Sequence, residues 1–540
     1  MPAVAGAWRM GQCGGKQGDM MTEVDMAALE RALDGLPDRL RGPGGVAGVV
    51  YKGRVIARRA WGYADLAARL PMTAGTRLPI CSISKQFTCA VLLDQVADPA
   101  TLDGAVGQFL PQFQGMLPTV QQLADNQSGL RDYWALTVLQ GAAPEQTFAR
   151  SDALPLLARM KTGHFAPGTS YSYCNANFRI LAEVIEQATG RALSDLLVER
   201  IFAPAGMVTA ALLPDTRQTA DGVVGYEGTD ETGHIPAQNG IYWIGDAGVS
   251  AALDDMLAWE GFIDQTRDDP TGLYNRLSAP PSFANGAPAF YGNGLGRMTI
   301  GGLTVTGHGG ALRGFRCKRL HVASERLSVV VMLNHEADAH GAAVGLIEAA
   351  LGLPAVPHAP CPPDWSGLAM DDMQGLLVRI TPGPQGLTLS YGSEESLLQV
   401  MGDDQAAGGG VHLQRSATGL VLRREEENLT LTARPLTPTT GADGGPLAGR
   451  YWSAELDAEL LITHRDGATF AGFQGMLGQG PMERMHAVSP DIWVISTRRS
   501  MDAPAPGDWT VQVPRGTDGV VSDLVVGCWL ARGITYRRIC

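Results

Sequence analysis

The chain is 540 residues long, which is too long for one hydrophobic core and suits two to four domains. A hydrophobic share of 45% with 18% charged residues is that of an ordinary soluble globular protein. A formal charge of −13 with no basic cluster excludes a nucleic-acid footprint, and no run of about 18 apolar residues could cross a membrane as a helix.

Residues 1–21 lack the apolar stretch of a secretory signal and read as a disordered extension. Residues 22–43 carry Val24, Leu29, Leu33 and Leu36 at helical spacing and end at Gly42-Pro43-Gly44. Two apolar runs, 45–51 and 54–63, flank Lys52-Gly53 as a hairpin. A buried helix is expected from Ser82 to Val96, and residues 100–280 mix short helices with Gly/Pro-rich loops. Strand patterns return at 303–305, 317–322 and 327–333, followed by a helix over 345–353. Strands early, helices between and strands late predict an α+β domain over 22–353, one antiparallel sheet flanked by helices.

After Leu353 the character changes. Residues 354–363 are half proline and read as a linker, and Gly441–Pro446 marks a second boundary. Short alternating strands fill 364–440 and 446–540, which predicts two small antiparallel β-barrels. Trp365-Ser366 and Trp452-Ser453 open similar patterns, a weak sign that the two are copies. The eight cysteines form no Cys-x-x-Cys pair, which suits reduced thiols in a cytoplasm.

Only five of the 42 basic residues are lysines, and Lys85 sits three residues after Ser82. Arginine cannot lose its proton in a protein, whereas a desolvated lysine can, so Lys85 is suited to act as a base. Residues at i and i+3 share a helix face, which places the amine beside a weak nucleophile that needs activating. The helix N-terminus around Ser82 favours developing negative charge. Downstream, Tyr173-Cys174-Asn175 puts two polar side chains on one side of an extended segment. Tyr173 can relay a proton to a leaving amine, and Asn175 can hold a substrate amide. Further on, His308-Gly309-Gly310 follows a strand pattern, and its glycines admit a substrate backbone. His308 is suited to bond the hydroxyl of Tyr173 or Ser82, or to bind a substrate carboxylate. Each motif alone has a plainer reading: chance for Ser-x-x-Lys, packing for the aromatic turn, a satisfied loop histidine for His308.

Together, Ser-x-x-Lys, Tyr-x-Asn and His-x-Gly in this order resemble the penicillin-recognising serine hydrolases over residues 25–350. A lesser echo is the Ser128-Gly129-Leu130 turn. Lys161-Thr162-Gly163 matches the Lys-Thr-Gly box of many β-lactamases but precedes Tyr173, so His308-Gly309-Gly310 is the third element. The added barrels resemble the D-aminopeptidase branch. That resemblance implies catalysis by Ser82, Lys85, Tyr173 and His308. It also implies substrate binding by Asn175, Gly310, Ala311 and Arg316, with Asp502 on a loop of the last barrel facing a substrate ammonium. The oxyanion would sit between the N–H groups of Ser82 and Ala311.

The activity that this resemblance implies is that of a serine aminopeptidase, removing an N-terminal D-residue from small peptides, amides and esters. It would need neither cofactor nor metal: His335, Glu336 and His340 suit a strand end and a helix start better than a metal site. β-Lactams are candidate inhibitors, and the barrel faces are candidate homodimer contacts. An esterase or D,D-carboxypeptidase using the same serine is the alternative, and a non-catalytic penicillin-recognising binder a remoter one. Cysteine catalysis through Cys81 or Cys174 is remoter still, since neither has a histidine at a suggestive spacing.

Overall fold

The structure is a computed structural model that describes residues 23–354, 359–392, 394–416, 419–439, 441–502, 506–514 and 521–539. The expected extension over 1–21 and residues 355–358 of the linker lie outside the described residues. Strand Gly44–Tyr51 turns through Lys52 and Gly53, both at positive φ, into Arg54–Asp65, the hairpin expected from the sequence. An antiparallel sheet grows from this hairpin, in the order 70–71, 54–65, 44–51, 327–333, 315–322, 303–312, 295–300, 291–292.

Period-two alternation sends the central strands into two cores. Val46, Val50, Val330 and Met332 face the helical part of the domain, whereas Ala47, Val49, Val329 and Val331 face away from it. Helices Met26–Asp34 and Ala339–Leu351 cover that second face, with Leu29, Leu33, Leu346 and Ile347 fully buried. The N-terminal helix is shorter than expected, because Gly35 and Pro37 break it into two pieces. The last helix starts at Ala339 rather than 345, where Asp338 caps it by accepting from the Gly341 N–H.

Strand Leu303–Leu312 runs on through His308-Gly309-Gly310 instead of stopping before them. Its far half pairs with Phe315–Val322, but its other neighbour, Leu295–Ile300, reaches only as far as Gly307. Residues 308–312 are therefore a free edge on that side, and the turn carrying Ser82 packs there.

Beyond the sheet lie two closed, eight-stranded antiparallel barrels, the first over 367–435 and the second over 449–538. The second closes where Ala458–Arg465 pairs with Ala468–Gly475. A matching turn opens each barrel, Pro363–Trp365 before Gly367 and Gly445–Leu447 before Gly449. In that frame Trp365 corresponds to Leu447, so the two Trp-Ser pairs are out of register and are not equivalent.

Both barrels touch the first domain. In the first, the Asn428 side chain donates to Thr169 O at 2.9 Å. In the second, Leu530 O accepts from the Asp132 N–H at 2.9 Å.

Candidate active site

Ser82 sits in a tight turn, Cys81–Ile83, that runs straight into helix Ser84–Gln95. Cys81 adopts φ +52°, a left-handed conformation unusual for a side chain other than glycine. The strain bends the chain so that Ser82 faces the cavity. Gly310 makes this possible, because a Cβ there would lie 2.3 Å from the carbonyl oxygen of Ile80.

Lys85 is wholly buried, and its Nζ reaches three acceptors: Ser82 Oγ at 3.0 Å, Asn175 Oδ1 at 2.7 Å and the Asp246 carbonyl at 2.7 Å. Tyr173 OH donates to Ser82 Oγ at 2.8 Å. Burial lowers Lys85 to about 8, although the carboxylates of Asp246, Asp132 and Asp502 act to raise it. A neutral amine keeps two N–H groups and one lone pair. With Asn175 and Asp246 taking the two N–H groups, the lone pair is left for the proton of Ser82. Burial raises Tyr173 well above the ordinary phenol value, so it stays protonated and can give a proton.

Asn175 is the first residue of helix Asn175–Thr189 and not the end of an extended segment, as the sequence suggested. Its amide is engaged within the protein: Oδ1 accepts from Lys85, while Nδ2 and the backbone N–H donate to Asp132 Oδ2 at 2.8 and 2.7 Å. Asp132 and Asp246 escaped sequence reasoning because single buried carboxylates carry no local pattern. Asp246 accepts from Tyr133 OH and Trp134 Nε1, and neither carboxylate forms an ion pair with Lys85.

His308 stands beside the reacting groups, its ring centroid 6.0 Å from that of Tyr173, but its hydrogen bonds go elsewhere. Nε2 meets Tyr291 OH at 2.9 Å and Nδ1 faces the Gly309 carbonyl, so the expected bond to Tyr173 or Ser82 is not made. Burial pushes His308 down to about 3, and a neutral imidazole cannot attract a carboxylate by charge. Tyr291 gave no sequence signal, being an ordinary aromatic far from any motif.

Ser82 opens into a cavity of about 860 Å³ that Tyr173, Gly310, Ala311, Arg316 and Asp502 also line. Residues 503–505 of the loop carrying Asp502 lie outside the described residues. Arg316 is tied to Glu336 at 3.1 Å and to the Leu312 and Phe315 carbonyls at 2.8 Å each. Cys81 and Cys174 are fully buried, and burial raises both thiols well above the ordinary value, against a nucleophilic role. Lys161 and Thr162 serve docking instead of chemistry: they bond Ala454 O and Glu455 Oε1 of the second barrel. Ser128 is scaffolding, donating to Asn177 Oδ1 at 2.7 Å.

The family described as beta-lactamase matches residues 29–352, and the one described as D-aminopeptidase, domain B, matches 358–537. A relative named D-aminopeptidase from Cereibacter sphaeroides is 61% identical over 96% of this chain and all of its own. Its namesake from Brucella canis is 49% identical over the same share of this chain and, again, all of its own length. The D-amino acid amidase of Ochrobactrum anthropi, solved with D-phenylalanine, shares the catalytic fold at a TM-score of 0.50 and 20% identity. That match covers 60% of this chain and 98% of the amidase. With both regions matched and full-length relatives at this identity, the chain belongs to the D-aminopeptidase family.

Proposed function

We propose that the protein is a serine aminopeptidase that releases an N-terminal D-residue from short peptides, amides and esters through an acyl-enzyme on Ser82. The observation that carries this reading is that Asp502, from the second barrel, lines the same cavity as the Ser82–Lys85–Tyr173 triangle. A carboxylate there complements the free ammonium carried by the same residue as the scissile carbonyl.

In the proposed reaction neutral Lys85 takes the proton of Ser82 as Oγ attacks the carbonyl carbon. The oxyanion forms between the backbone N–H groups of Ser82 and Ala311. Tyr173 protonates the leaving nitrogen as its bond to carbon breaks, and the Lys85 ammonium returns a proton to the phenolate. Water, deprotonated by the same lysine, then attacks the ester carbonyl, and the lysine ammonium returns the proton to Ser82 Oγ as its bond to carbon breaks and the D-residue leaves. His308, held by Tyr291, keeps a neutral ring against Tyr173.

A cytoplasmic location is part of this proposal, and the six described cysteines, all unpaired, support it. A homodimer and inhibition by β-lactams are further expectations, tested by light scattering and by mass spectrometry for a Ser82 adduct. The decisive assay compares D-Ala-p-nitroanilide, its L-isomer and its N-acetylated D-form, with wild type and Ser82→Ala. Release from the free-amine D-substrate alone, lost in the variant, supports the reading. Equal turnover of the acetylated form overturns it in favour of an esterase or carboxypeptidase.

A further inference from the structure

Four of the five lysines are described, and three have evident occupations. Lys52 sits in the hairpin turn over Tyr51, Lys161 binds the second barrel, and Lys85 touches Ser82. The fourth, Lys318, lines the Ser82 cavity, yet among the described residues its Nζ has neither hydrogen-bond nor ion-pair partner. Asp338 is near enough to act on it electrostatically, but Asp338 caps the following helix and makes no ion pair with Lys318. Arg316, the other cation on this wall, is already bound to Glu336. Burial lowers Lys318 to about 8, as expected of a cation without enough opposing charge around it. Among the described residues this is a positive charge on the cavity wall with no ion-pair partner.

Its position one strand behind that free edge gives it a use. Lys318 is the cross-strand partner of Gly309, and its Cδ lies 3.9 Å from where a Cβ on Gly309 would stand. The missing side chain leaves the lysine stem room to cross the strand, beside His308, whose charged form it disfavours. Asp502 lines the same cavity and acts on Cys81, as Arg316 does. Arg316 and Lys318 stand two residues apart on their strand, about 7 Å. An extended dipeptide separates its ammonium from its carboxylate by about the same length. The His308 end is also the Tyr173 side, where the leaving nitrogen takes its proton.

We propose that Lys318 binds the free carboxylate of the leaving residue, so that the enzyme selects dipeptides with an uncapped C-terminus over their amides. This assignment rests on the aminopeptidase reading above. It moves the carboxylate from the neutral His308 to the nearest unpaired cation. A lysine, as a point charge on a flexible stem, can follow carboxylates on residues of differing size.

The test measures kcat/KM for D-Ala-Gly and D-Ala-Gly-NH₂ on the same preparations of wild type, Lys318→Met and Lys318→Arg. Because both substrates are read on one preparation, loss of folded protein cancels in the ratio. Wild type should favour the free acid by at least about tenfold, one charge-assisted hydrogen bond, through a lower KM. The methionine variant should bring the ratio to about one, and arginine should keep most of it. Equal turnover of acid and amide by wild type, or an unchanged ratio in Lys318→Met, overturns the assignment alone. Failure of wild type to cleave even D-Ala-p-nitroanilide overturns the aminopeptidase reading and this assignment with it.

Discussion

Asp132 holds Asn175 by two hydrogen bonds, one from its backbone N–H and one from its side-chain amide. The second fixes which way the amide points. With Nδ2 on Asp132, Oδ1 must face Lys85, and so one acceptor of the lysine is set by a residue that never touches it. In Asp132→Asn this choice is lost, since an amide can donate as well as accept. We expect kcat to fall by about ten- to a hundredfold, the range typical of a displaced acid–base group. The Asp132 carboxylate also raises Lys85, so the variant's ascending limb should move to lower pH. A drop in kcat without that movement in the pH–rate profile would mean that Asp132 only shapes the fold.

For the wild type, activity must increase with pH while Lys85 loses its proton, with a midpoint near 8. The sign follows from burial, which disfavours the ammonium and brings the base into the working range. A second titration opposes it. The substrate's own amine, with an ordinary value of about 8, loses the charge that Asp502 is proposed to bind. A bell-shaped kcat/KM curve centred near pH 8 is therefore expected with D-Ala-p-nitroanilide. A profile still rising well above pH 9 would show that the ammonium is not needed.

Asp502→Asn separates these two titrations. It removes the charge that meets the substrate ammonium and leaves Ser82, Lys85 and Tyr173 in place. KM for free-amine substrates should rise by about tenfold or more, a charge-assisted contact being worth about 1.5–3 kcal/mol. The falling alkaline limb should flatten. Since the same carboxylate acts to raise Lys85, the ascending limb should shift slightly towards lower pH. Kinetics of the free and N-acetylated substrates decide this, because discrimination between them should shrink in parallel.

Much of this site was legible because its parts are short-range. Ser82 and Lys85 are three residues apart and Tyr173 and Asn175 two, so local geometry delivers each pair together. The hairpin around Lys52-Gly53 was legible for the same reason. The remaining parts depend on long-range packing. Asp246 lies 161 residues from Lys85, and Tyr291 meets His308 across 17 residues. The strand through His308-Gly309-Gly310 was underestimated because glycines weaken any strand pattern, although here they admit the nucleophile turn. The repeat between the barrels was seen but misaligned, since a shared Trp-Ser pair says less than the turn that opens each barrel.

The second barrel reaches the chemistry by a further route, through Arg131. This side chain is only 4% exposed, pairs with Glu455 of the barrel, and donates to the Thr162 and Arg532 carbonyls. Asp132 follows it directly and also gives its backbone N–H to Leu530 O. Barrel docking and the orientation of Asn175 are thus set by adjacent residues. Removing Glu455 leaves Arg131 buried with neutral acceptors, the Thr162 and Arg532 carbonyls and the Thr162 hydroxyl. Breaking a buried pair costs about 3 kcal/mol at the lower end of the usual range, and the surviving bonds argue for that end. Glu455→Ala should therefore lower the midpoint of thermal unfolding and, if Asp132 shifts with its neighbour, reduce kcat at constant KM. Glu455→Gln, which can still accept from Arg131, should recover most of both. A stability loss with kcat intact would confine this contact to docking.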